Sequence, residues 1–150
     1  MRKGDIGLTD LIGEKSVKKS DPRVRALAHA DDLASALGYA KLKSKEKDLE
    51  KVQTFLTAIC GIIAGTKAEL APEAVNFIEE KTAALEKKYK MPGDFILSGK
   101  NEAEAALHIA RAKCRLAETY IAELPAQDPG VLRFINRLSR YLFLLVLKYT

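Results

Sequence analysis

The chain has no tryptophan, only two cysteines and no long hydrophobic run, and each scarcity excludes a class of protein. Cys60 and Cys114 sit inside apolar helical patterns and form no Cys-x-x-Cys spacing, which excludes a disulfide scaffold or a zinc finger and suits free thiols in a reducing compartment. The longest uninterrupted apolar run, Tyr141 to Leu147, falls far short of the roughly 20 residues that span a bilayer. The polar N-terminus carries no secretory hydrophobic segment, so a cytoplasmic protein with no membrane partner is expected. Without an aromatic-rich strand motif or a heavily basic helix, a nucleic-acid partner is not expected either. The Gly-Lys-Ser/Thr ending of a P-loop is also missing.

What is present is one domain's worth of chain. At 150 residues, 47% apolar and 30% charged, it can bury a real core without disulfides or a structural metal. The net charge is +5 and the excess lies at the two ends: residues 1–25 hold seven Lys/Arg against four Asp/Glu, residues 26–100 eleven against eleven, and residues 101–150 seven against five. If those ends meet in space they make an electropositive site suited to phosphate.

The most informative stretch is His108 to Glu118. At 3.6 residues per turn His108, Arg111, Arg115 and Glu118 fall on one stripe, beside a packing stripe of Leu107, Ala110, Cys114, Ala117, Ile121 and Leu124. Two guanidinium forks a turn apart can hold a polyanion or lock an acidic partner, and the same row also suits a solvated charged face.

Residues 1–19 show neither helical nor strand periodicity and are expected to be an irregular arm. Within it Gly4 and Gly7 let backbone N–H groups approach a ligand, Arg2, Lys3 and Lys19 offer charge, and Thr9 offers a hydroxyl. A frayed tail with chance glycines fits the pattern equally.

Residues 20–150 read as a helix bundle. Ser20-Asp21-Pro22 starts a helix to about Lys41, with two small-to-apolar stripes that demand two neighbours. Asp31 lies within the second stripe, where a carboxylate is costly unless paired, and Arg111 or Arg115 is its natural partner. Leu49, Val52, Leu56, Ile59 and Ile63 mark a second helix before Gly65, and Pro72 opens a third. Met91-Pro92-Gly93-Asp94 breaks the third, and Phe95-Ile96-Leu97 follows in a loop. Three large hydrophobes there either tuck under the bundle or line a pocket, and tucking under is the more frequent outcome. The fourth helix spans about Glu102 to Leu124. Asp128-Pro129 caps a fifth, whose second half is apolar all round and must be enclosed. Five helices with short links and no strand-like alternation predict a single all-α domain over 1–150.

Five motifs occur in a telling order. They are Gly4-Asp5-x-Gly7-x-Thr9, Lys19-Ser20-Asp21-Pro22-Arg23-Val24-x-Ala26, Asp31-Asp32-Leu33-x-Ser35-x-x-Gly38, Ala110-Arg111-x-x-Cys114-Arg115-x-Ala117-Glu118, and Asn136-Arg137-Leu138-Ser139-x-x-Leu142-Phe143. In order and spacing the chain resembles the ATP:cob(I)alamin adenosyltransferases of the trimeric five-helix type, over almost its whole length. The resemblance implies a left-handed, up-down five-helix bundle assembled as a homotrimer with ATP between subunits. It implies transfer of the 5′-deoxyadenosyl group of ATP to the cobalt of cob(I)alamin, with release of triphosphate, Mg²⁺ as the usual metal, and an adenosylcobalamin-dependent mutase as a downstream partner.

In that family reading the arm from Arg2 through Lys3, Gly4, Asp5 and Gly7 to Thr9, together with Lys19, wraps the phosphates. Arg115 and Glu118 face the nucleotide and Asn136 contributes from the last helix. Asp31 pairs with an arginine of the fourth helix, Arg111 or Arg115, and Phe95 presses on the lower corrinoid face. No protein metal ligand is implied. Cobalt(I) is itself a strong nucleophile, so no catalytic triad is required, and His108 reads as an ordinary helix residue. The chain departs from the family pattern at Met1, Ala34, Ser98-Gly99-Lys100, Leu116, Thr119 and Arg140. Those departures suit a second reading, a catalytically impaired relative that binds nucleotide or corrinoid as carrier or sensor. A purely structural helical oligomer is a third.

Overall fold

The computed structural model describes residues 1–125 and 128–150, and its framework is five helices: α1 (Pro22–Ser44), α2 (Asp48–Ala64), α3 (Pro72–Glu86), α4 (Glu102–Ala122) and α5 (Pro129–Lys148). Local chemistry fixes most of their ends. Asp21 Oδ1 accepts the Arg23 amide at 2.8 Å with Pro22 in the first turn, and Asp128 Oδ1 accepts the Gly130 amide at 2.8 Å with Pro129 in the first turn. Asn101 Oδ1 caps α4 by accepting the Glu104 amide at 2.9 Å. Gly65 ends α2 at a φ of 119°, a conformation that favours glycine.

Contacts at the two ends of the bundle give the up-down order. At one end Tyr149 of the α5 terminus donates its hydroxyl to Ser44 O at 2.9 Å and accepts Asn101 Nδ2 on its carbonyl at 2.6 Å, while Lys43 meets Glu102 at 3.3 Å. The α1 and α5 C-termini therefore lie beside the α4 N-terminus. At the other end Arg23, Ile63, Ile121 and Val131 line one small cavity, which brings together the start of α1, the ends of α2 and α4, and the start of α5.

Helix α1 packs on both α2 and α4, α4 on both α1 and α5, and α3 on α5. This meets the demand for two neighbours made by the paired stripes of α1. Ala26, Ala30 and Ala40 of α1 and Ala106, Ala110, Cys114 and Ala117 of α4 are all buried, and such small side chains let the two helices approach closely. The ring is closed by Phe55 of α2, whose ring centroid lies 5.7 Å from Phe77 of α3 and 5.8 Å from Phe134 of α5. The apolar half of α5 is enclosed as expected: Tyr141, Leu142, Leu144, Leu145 and Val146 are buried, with Phe143 and Leu147 half-buried.

Two expectations are corrected. The arm of residues 1–19 is not irregular. It holds a 3₁₀ turn, Lys3–Ile6, then a hairpin of β1 (Leu8–Leu11) and β2 (Glu14–Lys18), paired antiparallel with Leu8 opposite Lys18 and Thr9 opposite Val17. Sequence alternation is weak because the ribbon buries only Val17, and a shift of register between Thr9 and Leu11 breaks the period of two. The Phe95 loop is not tucked under the bundle either: Phe95 is 105% and Leu97 86% exposed.

Candidate active site

The arm is a set of interlocked turns. Arg2 and Asp5 exchange bonds, the Arg2 amide donating to Asp5 Oδ2 at 3.0 Å and the Asp5 amide to Arg2 O at 2.9 Å. Gly7 takes a φ of 79°, its amide donates to Gly4 O and its carbonyl accepts the Lys19 amide at 2.8 Å. Lys19 Nζ also reaches Gly4 O at 3.1 Å. The 3₁₀ turn that holds Gly4 and ends at Gly7 is therefore clamped to the exit of the hairpin through Lys19. Lys3 is not free, because Asp10 pairs with it at 2.7 Å; that bond, with the Ser16 amide, holds the Asp10 carboxyl below its usual range. Thr9 lies half-buried in β1.

The hairpin is tied to the start of α1 and the end of α2. Arg23 bridges Glu14 at 2.6 Å and Asp21 at 3.0 Å, and both carboxyls are held low by those bonds. A Cβ on Gly65 would stand 2.6 Å from Ile12 O, so the hairpin rests directly on the α2 terminus. Among the described residues no hydrogen bond or ion pair joins this arm to Arg111 or Arg115 within one protomer.

On α4 the cations are disposed unequally. Arg111 is half-buried, with its guanidinium carbon 4.8 Å from the Phe143 ring centroid, and burial followed by the neighbouring charge of Arg115 pushes its pKa down. A groove of about 430 Å³ between α4 and α5 is lined by Arg111, Arg115, Asn136, Arg137 and Arg140. Arg137 is neutralised by Glu79 at 2.5 Å and Arg140 by Glu86. Among the described residues Arg115, Glu118 and Asn136 make no side-chain hydrogen bond or ion pair, and together they line an adjoining open cleft. Among the described residues Arg115 and, stacked on Phe143, Arg111 are thus the groove arginines without an acidic partner, and Arg115 is the more exposed of the two.

The expected pairing of Asp31 with Arg111 or Arg115 is not made within the protomer. Asp31 is exposed, and its charge is felt by the Cys60 thiol of α2, which burial and then that charge push up. Its neighbour Asp32, one step of about 100° round the helix, makes the bridge to α4 through Lys113 at 2.7 Å. The stripe pattern puts Asp31 toward α4 and Asp32 on plain surface, and the structure corrects that assignment, since it is Asp32 that reaches across.

Phe95 borders a pocket of about 820 Å³ formed by the 93–98 segment, His108 and Arg111 of α4, and Phe143 of α5. The mouth is broad and the walls are mostly apolar, so it suits a large, flat, weakly polar molecule. Arg111 and Phe143 border both this pocket and the arginine groove, which makes the two contiguous. One contributor carries little signal in the sequence: Phe143 stands there only as part of the last motif, and its place between the pocket and the groove follows from the packing of α4 on α5.

A five-helix bundle carrying a clamped glycine turn and an arginine groove that runs into a broad, mostly apolar pocket defines a helical ligand-binding class of protein. The cobalamin adenosyltransferase family model matches residues 1–149, and the chain belongs to that family. It is 34% identical over 96% of its length to the corrinoid adenosyltransferase PduO of Citrobacter freundii, of which it covers 47%. It is 33% identical over 95% of its length to the corrinoid adenosyltransferase MMAB of Homo sapiens, covering 64%. The chain thus spans about half the length of the PduO relatives it matches. Among solved structures, a variant PduO-type ATP:corrinoid adenosyltransferase from Lactobacillus reuteri, complexed with cobalamin and ATP, superposes with a TM-score of 0.85 at 31% identity, covering 97% of this chain and 87% of that one.

Proposed function

We propose that this protein transfers the 5′-deoxyadenosyl group of ATP to the cobalt of cob(I)alamin, giving adenosylcobalamin and triphosphate. The observation that carries the reading is the contiguity of the Phe95 pocket with the arginine groove, which lets a corrinoid and a nucleotide face each other across Arg111 and Phe143. A structural neighbour complexed with both molecules supports it. Cobalt(I) donates its electron pair to C5′, the C5′–O bond breaks, and that pair leaves with the triphosphate. The protein's tasks are then alignment of the two substrates and stabilisation of charge gathering on the leaving group.

Arg115, with Glu118 and Asn136 beside it, is placed to receive the nucleotide, and Phe95 with Leu97 forms the apolar wall for the corrinoid. The family resemblance implies a homotrimer, and in it Arg2, Lys3, Gly4, Asp5, Gly7, Thr9 and Lys19 of one subunit would face the α4 cations of the next; the lack of a bond between the arm and Arg115 within the protomer agrees with that arrangement. Asp31, exposed and unpaired in the protomer, is then free to meet an arginine of a neighbouring copy.

Among the described residues no group of three or more His, Cys, Asp or Glu is placed to hold a metal. Mg²⁺, which keeps several waters and takes phosphate oxygens with at most one or two carboxylates, would arrive with the nucleotide. The free thiols Cys60 and Cys114 suit the cytoplasm, and an adenosylcobalamin-dependent mutase is the consumer such a product implies. No helix among the described residues is long and apolar enough to cross a membrane.

Anaerobic mixing of the protein with cob(I)alamin, ATP and Mg²⁺, followed by absorbance, should yield adenosylcobalamin, and none forming at any concentration refutes the enzymatic reading. Arg115→Ala should weaken ATP about 10-fold or more, the loss of a charge-assisted contact. One observation favours the carrier or sensor reading: Leu116 is exposed and the Thr119 hydroxyl is occupied by Leu116 O at 2.7 Å, so that turn adds no cation. Saturable ATP heat in calorimetry without turnover would select it, and no saturable heat would leave a structural oligomer.

A further inference from the structure

We propose that Glu104 is a positioning residue for the corrinoid side of the site: its buried carboxylate holds in place the loop that carries Phe95. The inference rests on the reading of the Phe95 pocket given above. Glu104 is 0% exposed, the most deeply buried charged residue among those described. Its Oε2 accepts two successive loop amides, Gly99 at 2.9 Å and Lys100 at 2.8 Å. Among the described residues these are the only hydrogen bonds made by residues 91–100, and no ion pair involves that stretch. Of its side chains only Ile96 is even half-buried. Without Glu104 the loop has almost nothing to fix it.

A carboxylate near a helix start would ordinarily be read as a cap. The side-chain cap is Asn101 Oδ1, which accepts the Glu104 amide; the Glu104 carboxylate feels the Asn101 amide in return, but its two hydrogen bonds go to the loop amides of Gly99 and Lys100. Gly99 takes a φ of 100°, the left-handed conformation in which two consecutive amides converge on one acceptor. Burial alone would raise the carboxyl, but the Lys100 and Gly99 amides, with His108, outweigh it and hold Glu104 low and charged. The other oxygen, Oε1, lies 2.9 Å from His108 Nε2, off the line of a hydrogen bond.

His108 carries the link into the pocket. Its ring stands 6.4 Å from Phe143, which lies under the Arg111 guanidinium. Glu104, His108, Arg111 and Arg115 follow one another along one face of α4, a single rigid helix. The loop anchor and the cations of the groove are therefore set at a fixed separation, and the wall bearing Phe95 cannot drift relative to Arg115. Loosening the anchor should spoil the corrinoid side and spare the nucleotide side.

Because the chain has no tryptophan, Leu97→Trp creates a single fluorescent reporter in the loop. Adding Glu104→Ala to that reporter protein should lower its anisotropy and speed its quenching by acrylamide, with Glu104→Gln, which keeps one acceptor oxygen, in between. In the tryptophan-free protein Glu104→Ala should raise KM for cob(I)alamin about 10-fold, the loss expected for charge-assisted bonds, and leave KM for ATP within about twofold. If the Ala variant does not fold, the Gln variant carries both measurements. An unchanged reporter, an unchanged corrinoid KM, or equal rises in both KM values each overturns the proposal. If the parent protein makes no adenosylcobalamin, the enzymatic reading fails instead, and reporter anisotropy alone still decides what Glu104 holds.

Discussion

Single side chains in this protein act mostly by being the one partner a backbone group has. Asp128 shows this away from the site: Oδ1 caps α5 through the Gly130 amide and Oδ2 accepts the Leu70 amide at 2.7 Å, so one carboxylate starts α5 and fixes the approach to α3. Asp128→Ala should cost about 2 kcal/mol, a cap plus a second charge-assisted bond, read as a lower urea midpoint at unchanged slope. Asp128→Asn, which keeps an acceptor for one amide, should recover about half. At Arg115 the logic is reversed, since what matters is the absence of any partner. Arg137 and Arg140 carry the same charge in the same groove, but Glu79 and Glu86 cancel it. Residue type and spacing give no means of telling a spent arginine from a free one, so the sequence marks all of them equally.

At the scale of elements, the hairpin meets the bundle at the Glu14–Arg23 bridge to α1 and at the close backbone approach of Ile12 to Gly65 of α2. Gly65 combines a φ of 119° with an approach that would set any Cβ 2.6 Å from Ile12 O. Gly65→Ala should therefore cost about 1–3 kcal/mol in local strain and lift the hairpin from α2 while the bundle stays folded. Amide hydrogen exchange checks it: protection should fall across residues 8–18 and hold within α1 and α4. Equal loss everywhere would mean the hairpin is integral to the core. The hairpin was illegible in the sequence because a two-stranded ribbon with one buried residue leaves no alternation to read. Helices α1 to α5, by contrast, each advertise a cap, a proline or a glycine at one end and an apolar stripe along their length. Their boundaries accordingly lie within a few residues of those expected.

For the whole molecule, the point that matters is that the two halves of the proposed phosphate cradle, the arm and Arg115, make no bond to each other within one protomer among the described residues. The proposed trimer joins them across subunits, and mixing tests that directly. Lys19→Ala and Arg115→Ala proteins, each impaired alone at limiting ATP, should regain activity when co-refolded. About a quarter of the interfaces in a 1:1 mixture would pair an intact arm with an intact Arg115. No recovery, with mixed trimers confirmed by mass spectrometry, would place both halves of the cradle in one subunit.

The sequence by itself determined the helix count, their order and the family, because caps, periodic stripes and ordered motifs are local signals that short windows of chain express. Only the tertiary structure decided that Asp32 rather than Asp31 bridges to Lys113, that Phe95 stands exposed, and that Glu104 anchors its loop. These depend on which way neighbouring side chains point and on what lies across from them. A rotation of about 100° between adjacent helix positions is enough to exchange one partner for another.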